Sequence, residues 1–322
     1  VNKKKRPQSD RYRNGQHTTI AKARLSVEGF DAQLDKFEKK LSILGRAPST
    51  CKSYSRHLAM MAMHFGCLPT ELEEDQITDY LHLLQQQHNT PSDSYFKHTV
   101  YSLRMLCKVE GIKPADIGLP PIKKSKKLPV VLSKEEVWAL LQAPALLKHK
   151  ILIGLLYGCG LRCLEARSVR IKDIDFDRQK LHVVQGKGKK DRYVPLSAHL
   201  CRGLHKYIEA ENPDIWLFNG QPEANRKGGD FDSRYSQKGV QWAVKQAAKV
   251  AAIKKDINVH TLRHTYATHC LEDGMDIMTL KEMLGHESIE TTLVYLHVAQ
   301  SGRIKPFSPL DTLFDVCGRP AK

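Results

Sequence analysis

Residues 260–295 contain several side chains that can bind a phosphate, next to one that can attack it. The segment begins His260-Thr-Leu-Arg263-His264, continues with Leu-Gly-His286, and reaches Tyr295. Arginine and histidine can donate hydrogen bonds to phosphate oxygens. A phenol, with a pKa of about 10, becomes a nucleophile only when neighbouring groups help to remove its proton. This combination predicts a phosphate pocket with an attacking tyrosine.

Each of these residues, taken alone, also has an ordinary structural explanation. A tyrosine on a short apolar helix, such as Tyr295, is more often a core residue than a nucleophile. His286 follows a glycine that is typical of a helix C-terminus. His260 and His264 have the four-residue spacing of zinc hydrolases, but that motif needs a glutamate where Thr261 stands. We therefore predict no metal site here.

Two upstream segments add further charged residues. The first reads Gly-Cys-Gly-Leu-Arg162-Cys-Leu-Glu165, and the second is a Gly-Lys187-Gly turn that leads into Arg192-Tyr-Val-Pro-Leu. Glu165 could form an ordinary salt bridge with Arg162 or with Arg263, and a lysine in a hairpin turn is usually solvated. The order and spacing of all the motifs together, rather than any single one, indicate a function.

This ordered set of motifs resembles the tyrosine recombinase (phage integrase) family, which includes Xer-type, integron and transposon integrases. The resemblance covers about residues 30–300 and is most specific over 155–297, where every expected catalytic position is filled. Cys163 and Ala166 depart from the family pattern, but they lie beside the catalytic positions rather than at them.

The resemblance implies that Tyr295 attacks a DNA phosphodiester and forms a 3′-phosphotyrosine with a free 5′-hydroxyl. Arg162 and Arg263 would bind the non-bridging oxygens, where charge develops in the transition state, and His286 would add a hydrogen bond to them. The covalent bond conserves the free energy of the phosphodiester, so a different strand can be joined. This chemistry needs neither a metal nor a nucleotide cofactor.

Three further roles follow from the same resemblance. His260 would assist as the general base for the phenol, and Lys187 would protonate the departing 5′-oxygen. Glu165 would hold an arginine in place. No catalytic role is predicted for His264, which is interpreted as a helix-stabilising residue.

The overall charge of the chain is consistent with a nucleic-acid partner. Of 322 residues, 51 are Lys or Arg and 35 are Asp or Glu, giving a net charge of +16, which favours a polyanion. We expect double-stranded DNA as the partner, no membrane association, reduced cysteines and a cytoplasmic location, associated with the nucleoid when bound to DNA. The predicted DNA-binding lysines are Lys123, Lys124, Lys126, Lys127, Lys189 and Lys190.

The spacing of apolar residues predicts the elements that must position these side chains. Four amphipathic helices are predicted between Phe30 and Gly111. A capping box at Ser133 starts a second helical region. That region contains three short antiparallel strands, and helices resume at about Gln237; the predicted strands are Ile171–Phe176, Lys180–Gln185 and Arg192–Leu196. The predicted fold is therefore mainly α (α+β), with a small three-stranded antiparallel sheet.

The chain is predicted to divide into five segments. They are a basic flexible arm (1–28), a helical core-binding domain that helps clamp DNA (29–113), a basic linker (114–129), the catalytic domain (130–300) and a C-terminal tail (301–322). By the resemblance, the tail would dock in a neighbouring subunit and give a tetramer on two DNA duplexes; folding back on its own domain is the alternative.

The leading hypothesis is a site-specific recombinase that integrates or excises a mobile element. A type IB topoisomerase is the first alternative, because it uses a similar active site to relax supercoils without a paired site. A catalytically inactive DNA-binding regulator is the second, and the complete set of catalytic residues argues against it. The sequence does not reveal the DNA site, because base readout depends on groove geometry.

Overall fold

The computed structural model describes residues 18–86, 92–113, 118–122, 128–184, 191–220 and 232–299, without the side chains of residues 92–94. The chain divides into two compact units, Val1–Ser125 and Lys126–Lys322. Among the described residues, no helix combines the length and the apolar character needed to cross a membrane.

The first unit is helical. Its second helix buries Phe30, Leu34, Phe37 and Leu41, which follow one another at three- and four-residue steps and are each at most 1% exposed. The spacing of these apolar residues therefore explains both the helix and the core that it joins. The helices in its described residues are α1 (Thr19–Ser26), α2 (Phe30–Ile43), α3 (Pro48–Phe65), α4 (Glu74–Gln86) and α5 (Ser92–Glu110).

The prediction of a flexible arm through residue 28 is wrong for its last part, because residues 19–26 form α1. The side chain of Thr18 accepts a hydrogen bond from Ala21 N (3.2 Å) and caps this helix. Ala23 and Val27 are 0% and 4% exposed and belong to the core of the first unit. The apolar residues of α1 show little helical periodicity, so the sequence did not predict this helix. Residues 1–17 of the predicted arm lie outside the described residues.

The second unit combines helices with one small sheet. The predicted capping box is confirmed, since Glu136 N donates to Ser133 Oγ (3.2 Å) and Ser133 N donates to Glu136 Oε2 (2.7 Å). The helices are α6 (Lys134–Gln142), α7 (Leu147–Gly158), α8 (Cys163–Arg167), α9 (Ala198–Glu211), α10 (Gln237–Val250), α11 (Val259–Glu272), α12 (Ile277–Leu284) and α13 (Glu290–Leu296).

The sheet has three antiparallel strands in the order β1 (Ile174–Asp175), β2 (Lys180–Val183) and β3 (Arg192–Pro195). The fold class predicted from the sequence is therefore confirmed. The first predicted strand is too long, because a 3₁₀ turn occupies Ile171–Asp173. The buried Asp173 carboxylate accepts a hydrogen bond from Arg170 N (3.3 Å), which closes this turn and leaves two residues to pair.

The turn between β2 and β3 lies mostly outside the described residues, as does most of the predicted linker. The two compact units divide between residues 125 and 126, within the predicted linker at 114–129. The boundaries of the other predicted segments stay predictions. Residues 300–322, which include the predicted tail, also lie outside the described part of the chain.

Candidate active site

Helix α11 carries three neighbouring polar side chains of the candidate site. Asn258 fixes its first turn, because Oδ1 accepts hydrogen bonds from His260 N (2.8 Å) and Thr261 N (3.2 Å). His260, Arg263 and His264 lie on one side of the helix, since residues three and four apart are neighbours on a helix surface. Arg263 is buried, His264 is half-buried and His260 is exposed.

The guanidinium of Arg263 joins two backbone segments of the site. Nη1 donates to Gly160 O (2.7 Å), two residues before Arg162, and Nη2 donates to Leu284 O (2.5 Å), two residues before His286. Gly160 has a φ of +59°, and a Cβ there would lie 2.4 Å from the ring of Tyr266. A glycine is therefore required where the chain passes Arg263, which explains the Gly-Leu-Arg part of the motif.

Glu165 holds two arginines at once. Arg162 Nη1 lies 2.8 Å from Oε1 of Glu165, and Arg192 reaches both carboxylate oxygens, through Nη1 (3.1 Å) and Nη2 (2.8 Å). Burial alone would raise the pKa of the Glu165 carboxyl, but the hydrogen bonds and charges of Arg192 and Arg162 outweigh it and lower this pKa to about 2. The carboxylate stays ionised and orients both guanidiniums.

No role was predicted for Arg192 from the sequence. It begins β3, and its Nε donates to Met283 O (2.7 Å) near the end of α12, while its side chain is 9% exposed. Arg192 therefore connects β3 with Glu165 and with the backbone just before His286. Its position in the Lys187 motif was the available signal, but nothing in the sequence showed that it would reach Glu165.

Tyr295 lies inside the cluster and is 3% exposed. Its Oη is 3.0 Å from Nδ1 of His264, and its ring stacks on that of His286 with centroids 6.3 Å apart and planes at 15°. Nδ1 of His286 in turn lies 2.9 Å from Oγ1 of Thr292, a buried residue one turn before Tyr295 on α13. The glycine at 285, with a φ of +61°, ends α12 and directs the chain toward His286.

The charges around Tyr295 favour an anion. Burial raises the pKa of the Tyr295 phenol, although Arg263 and Arg162 act in the opposite direction. The phenol is therefore protonated in the DNA-free protein and needs a base before it can attack. Although His260 is exposed, partial desolvation by the surrounding protein and the charges of Arg263 and Arg162 lower its pKa, so its imidazole is neutral near pH 7 and able to accept a proton.

Three guanidiniums and one carboxylate leave this site with an excess of positive charge. Burial and the neighbouring Arg162 lower the pKa of Arg263 to about 10, which still leaves it cationic at neutral pH. A phosphodiester carries one negative charge, and a second develops when an oxygen adds to phosphorus. The arrangement can therefore stabilise nucleophilic attack by a buried phenol on a phosphate.

The structure thus brings together Arg162, Glu165, Arg263, His286 and Tyr295. His260 lies at the edge of this group, with its ring centroid 6.3 Å from that of His264. In the part of the chain that the structure describes, no group of three or more His, Cys, Asp or Glu side chains could hold a metal. The other predicted site residues lie outside the described ranges; they are Lys187, Lys189, Lys190, Lys123, Lys124, Lys126 and Lys127.

Comparisons with known proteins agree on one family. Residues 130–301 match the model of the phage integrase family. A putative integrase/recombinase of Sinorhizobium fredii is 35% identical over 277 residues, covering 85% of this chain and 85% of that protein. The tyrosine recombinase XerA of Thermococcus onnurineus is 31% identical, covering 84% of this chain and 93% of that protein.

The fold has similar solved examples. One is the XerH site-specific recombinase bound to a palindromic difH substrate in a post-cleavage complex, with a TM-score of 0.63 at 20% identity, covering 87% of this chain and 84% of that one. Another is an integrase of the Tn1549 transposon in complex with a circular intermediate DNA, with a TM-score of 0.62 at 17% identity, covering 82% and 94%. At these identities the likeness concerns the fold.

Proposed function

The chain belongs to the phage integrase family, and we propose that it recombines DNA at specific sites through a covalent phosphotyrosine at Tyr295. As a member of this family it is an enzyme that breaks and rejoins DNA strands. The assignment of Tyr295 as the nucleophile rests on its buried phenol, which lies beside the arginines that Glu165 holds in place.

In the proposed reaction, Tyr295 Oη forms a bond to phosphorus as the bond to the 5′-oxygen breaks. Arg162 and Arg263 bind the non-bridging oxygens, with His286 as a third donor, and stabilise the charge that develops there. His260 accepts the phenol proton, and Lys187 donates a proton to the leaving 5′-oxygen. A 5′-hydroxyl of another strand then attacks the phosphotyrosine, which regenerates the phenol and joins the strands.

DNA binding is expected to rest on many phosphate contacts. The net charge of +16 supports this, as do the lysines of the predicted linker and of the Lys187 turn. We propose that both units bind the duplex and that four copies assemble on two recombination sites, with the tail as the exchanged segment. Because DNA is the substrate, we also propose a cytoplasmic location and a role in moving a mobile element, in line with the named integrase relatives.

A suicide DNA substrate tests the nucleophile assignment. A nick placed next to the cleavage site lets the 5′-hydroxyl fragment diffuse away, so the covalent protein–DNA adduct accumulates and can be separated by denaturing electrophoresis. We expect an adduct with the wild-type protein and none with Tyr295→Phe. Tyr207→Phe is the matched control, because it removes the hydroxyl of a tyrosine buried against Phe218 and should still form the adduct. Equal adduct formation by Tyr295→Phe would contradict the proposal.

The topoisomerase alternative predicts a different behaviour on plasmids. A type IB enzyme would relax supercoiled DNA that lacks any recombination site, whereas the proposed recombinase would act efficiently only on paired sites. A relaxation assay on two plasmids, one with and one without the site recovered from the adduct, separates the two activities. The relatives named recombinases and integrases favour the recombinase.

A further inference from the structure

His264 contacts Tyr295 but has no role in the proposed reaction. Nδ1 of His264 lies 3.0 Å from the phenol oxygen, and the two rings meet at 48° with centroids 5.7 Å apart. Because Tyr295 is 3% exposed, its hydroxyl is largely shielded from solvent, and a buried hydroxyl needs a hydrogen-bond partner. His264 is therefore in direct contact with the atom that is to attack phosphorus.

We propose that His264 is a positioning residue for the nucleophile, donating its Nδ1–H to Tyr295 Oη and holding this oxygen beside Arg162 and Arg263. The inference rests on the proposed function, since it concerns the same reacting oxygen. His264 would therefore do more than stabilise its helix, which is the role expected from the sequence alone.

The chemistry of the attack explains why a donor is needed at this place. The phenol must release its own proton to a base and direct a lone pair at phosphorus. A partner that donates to Oη holds the oxygen without competing for that proton, and it stabilises the negative charge as the proton leaves. A partner that accepted from Oη would instead draw the phenol proton away from His260 and would itself become the base.

The surroundings of His264 are consistent with a neutral imidazole. Burial, the adjacent His260 and the charge of Arg263 lower the pKa of His264 to about 4. A neutral imidazole carries one N–H, so the Nδ1–H tautomer can make the bond to Tyr295 while it adds no charge to a site that is already cationic. The helical position also restricts the ring, because His264 lies one turn beyond His260 on α11.

Asparagine and glutamine at position 264 separate positioning from proton transfer. The amide of asparagine stands on the same carbon as Nδ1 of histidine and can donate to Tyr295 Oη, but it does not exchange protons at neutral pH. Glutamine carries the same group one methylene farther out. His264→Asn therefore keeps the proposed hydrogen bond, His264→Gln displaces it and His264→Ala removes it.

The test measures the single-turnover rate of adduct formation and the affinity for the same DNA. We expect His264→Ala and His264→Gln to slow adduct formation by about 10- to 100-fold, the effect of losing one hydrogen bond to a charged oxygen. We expect DNA affinity to change by less than about 2-fold. His264→Asn should recover most of the rate. Circular dichroism checks that each variant is folded, and Asn and Ala serve as the informative pair if Gln misfolds.

Three results would overturn the inference. If asparagine is as slow as alanine, His264 transfers the proton and is a base. If alanine reacts at the wild-type rate, the contact has no role in the reaction, and if alanine reacts faster, the bond restrains an inactive tyrosine. Failure of the proposed function itself is distinguishable, because the wild-type protein would then form no adduct with any substrate.

Discussion

Replacing Glu165 with glutamine should destabilise the second unit without changing its fold. The side chain of Glu165 is 6% exposed and binds Arg162 and Arg192 at 2.8 Å each. Glutamine has nearly the same shape and can still accept a hydrogen bond, but it removes the one negative charge from a buried cluster of arginines. Removing one partner of a buried ion pair leaves the other charges uncompensated.

The magnitude follows from the carboxyl group's pKa. Arg192 and Arg162 overcome the effect of burial and lower it from 4.5 to about 2. At about 1.4 kcal/mol per pH unit, this difference corresponds to about 3 kcal/mol of stability at pH 7. Because the folded-state pKa is depressed, the contribution is complete well above pH 4.5 and is lost as the pH falls toward 2. About 1 kcal/mol of it should be gone by pH 4.

Urea denaturation followed by tryptophan fluorescence is a suitable assay. The three tryptophans, Trp138, Trp216 and Trp242, all belong to the second unit, so the signal reports on the unit that contains Glu165. We expect Glu165→Gln to lower the free energy of unfolding by about 3 kcal/mol at pH 7 and by about 2 kcal/mol at pH 4. Glu282→Gln, which removes an exposed carboxylate from α12, should change it by less than about 0.5 kcal/mol.

Two outcomes would refute this reasoning. A Glu165→Gln protein as stable as the wild type at pH 7 would mean that the carboxylate does not offset the charges of the arginines. A difference between the two proteins that grows as the pH falls from 7 to 4 would mean that the pKa of Glu165 is raised rather than lowered in the folded protein.

Three further predictions concern the arginines and DNA binding. Arg263→Lys should slow adduct formation by at least about 100-fold, because an ammonium cannot span the carbonyls of Gly160 and Leu284 as the guanidinium does. A single-turnover rate of adduct formation close to that of the wild type would contradict this. Arg192→Lys should lower the free energy of unfolding by about 1–3 kcal/mol, since it loses the paired contacts to Glu165, and an unchanged urea midpoint would count against it. DNA affinity should fall by about 10³-fold or more between 50 and 200 mM salt if at least about six phosphates are contacted. If the affinity measured by filter binding does not change with salt, binding through many phosphate contacts is excluded.

The sequence predicted the parts of the fold whose signals are local. The three- and four-residue steps from Phe30 to Leu41 locate α2, and the Ser133–Glu136 capping box locates the start of α6. The helix α9 was not predicted, although Ser197 caps it and Leu200 and Leu204 are buried at helical spacing. Its apolar residues recur at three- and four-residue steps, so the signal for this helix was present in the sequence. The helix α1 was missed because it follows a basic stretch and has little amphipathic character.

The candidate site was predictable as a set of residue types but not as a set of contacts. The order and spacing of the motifs resemble the tyrosine recombinase family, and this resemblance indicated that Arg162, Arg263, His286 and Tyr295 act together. The contacts of Arg192 with Glu165 and of His264 with Tyr295 join residues that are 27 and 31 positions apart in the sequence. Such contacts depend on how β3 and α13 pack against α8 and α11, which no local spacing encodes.

Locating the covalently bound DNA on the protein tests directly whether Tyr295 is the nucleophile. After reaction with a suicide substrate, nuclease and trypsin digestion leave a short nucleotide on the residue that attacked, and mass spectrometry identifies the peptide. The peptide 282–303 contains Tyr295 and no other tyrosine. We expect the nucleotide to be attached through a 3′-phosphate to this peptide at Tyr295. Attachment to any other residue, or cleaved DNA without a protein-bound nucleotide, would contradict it.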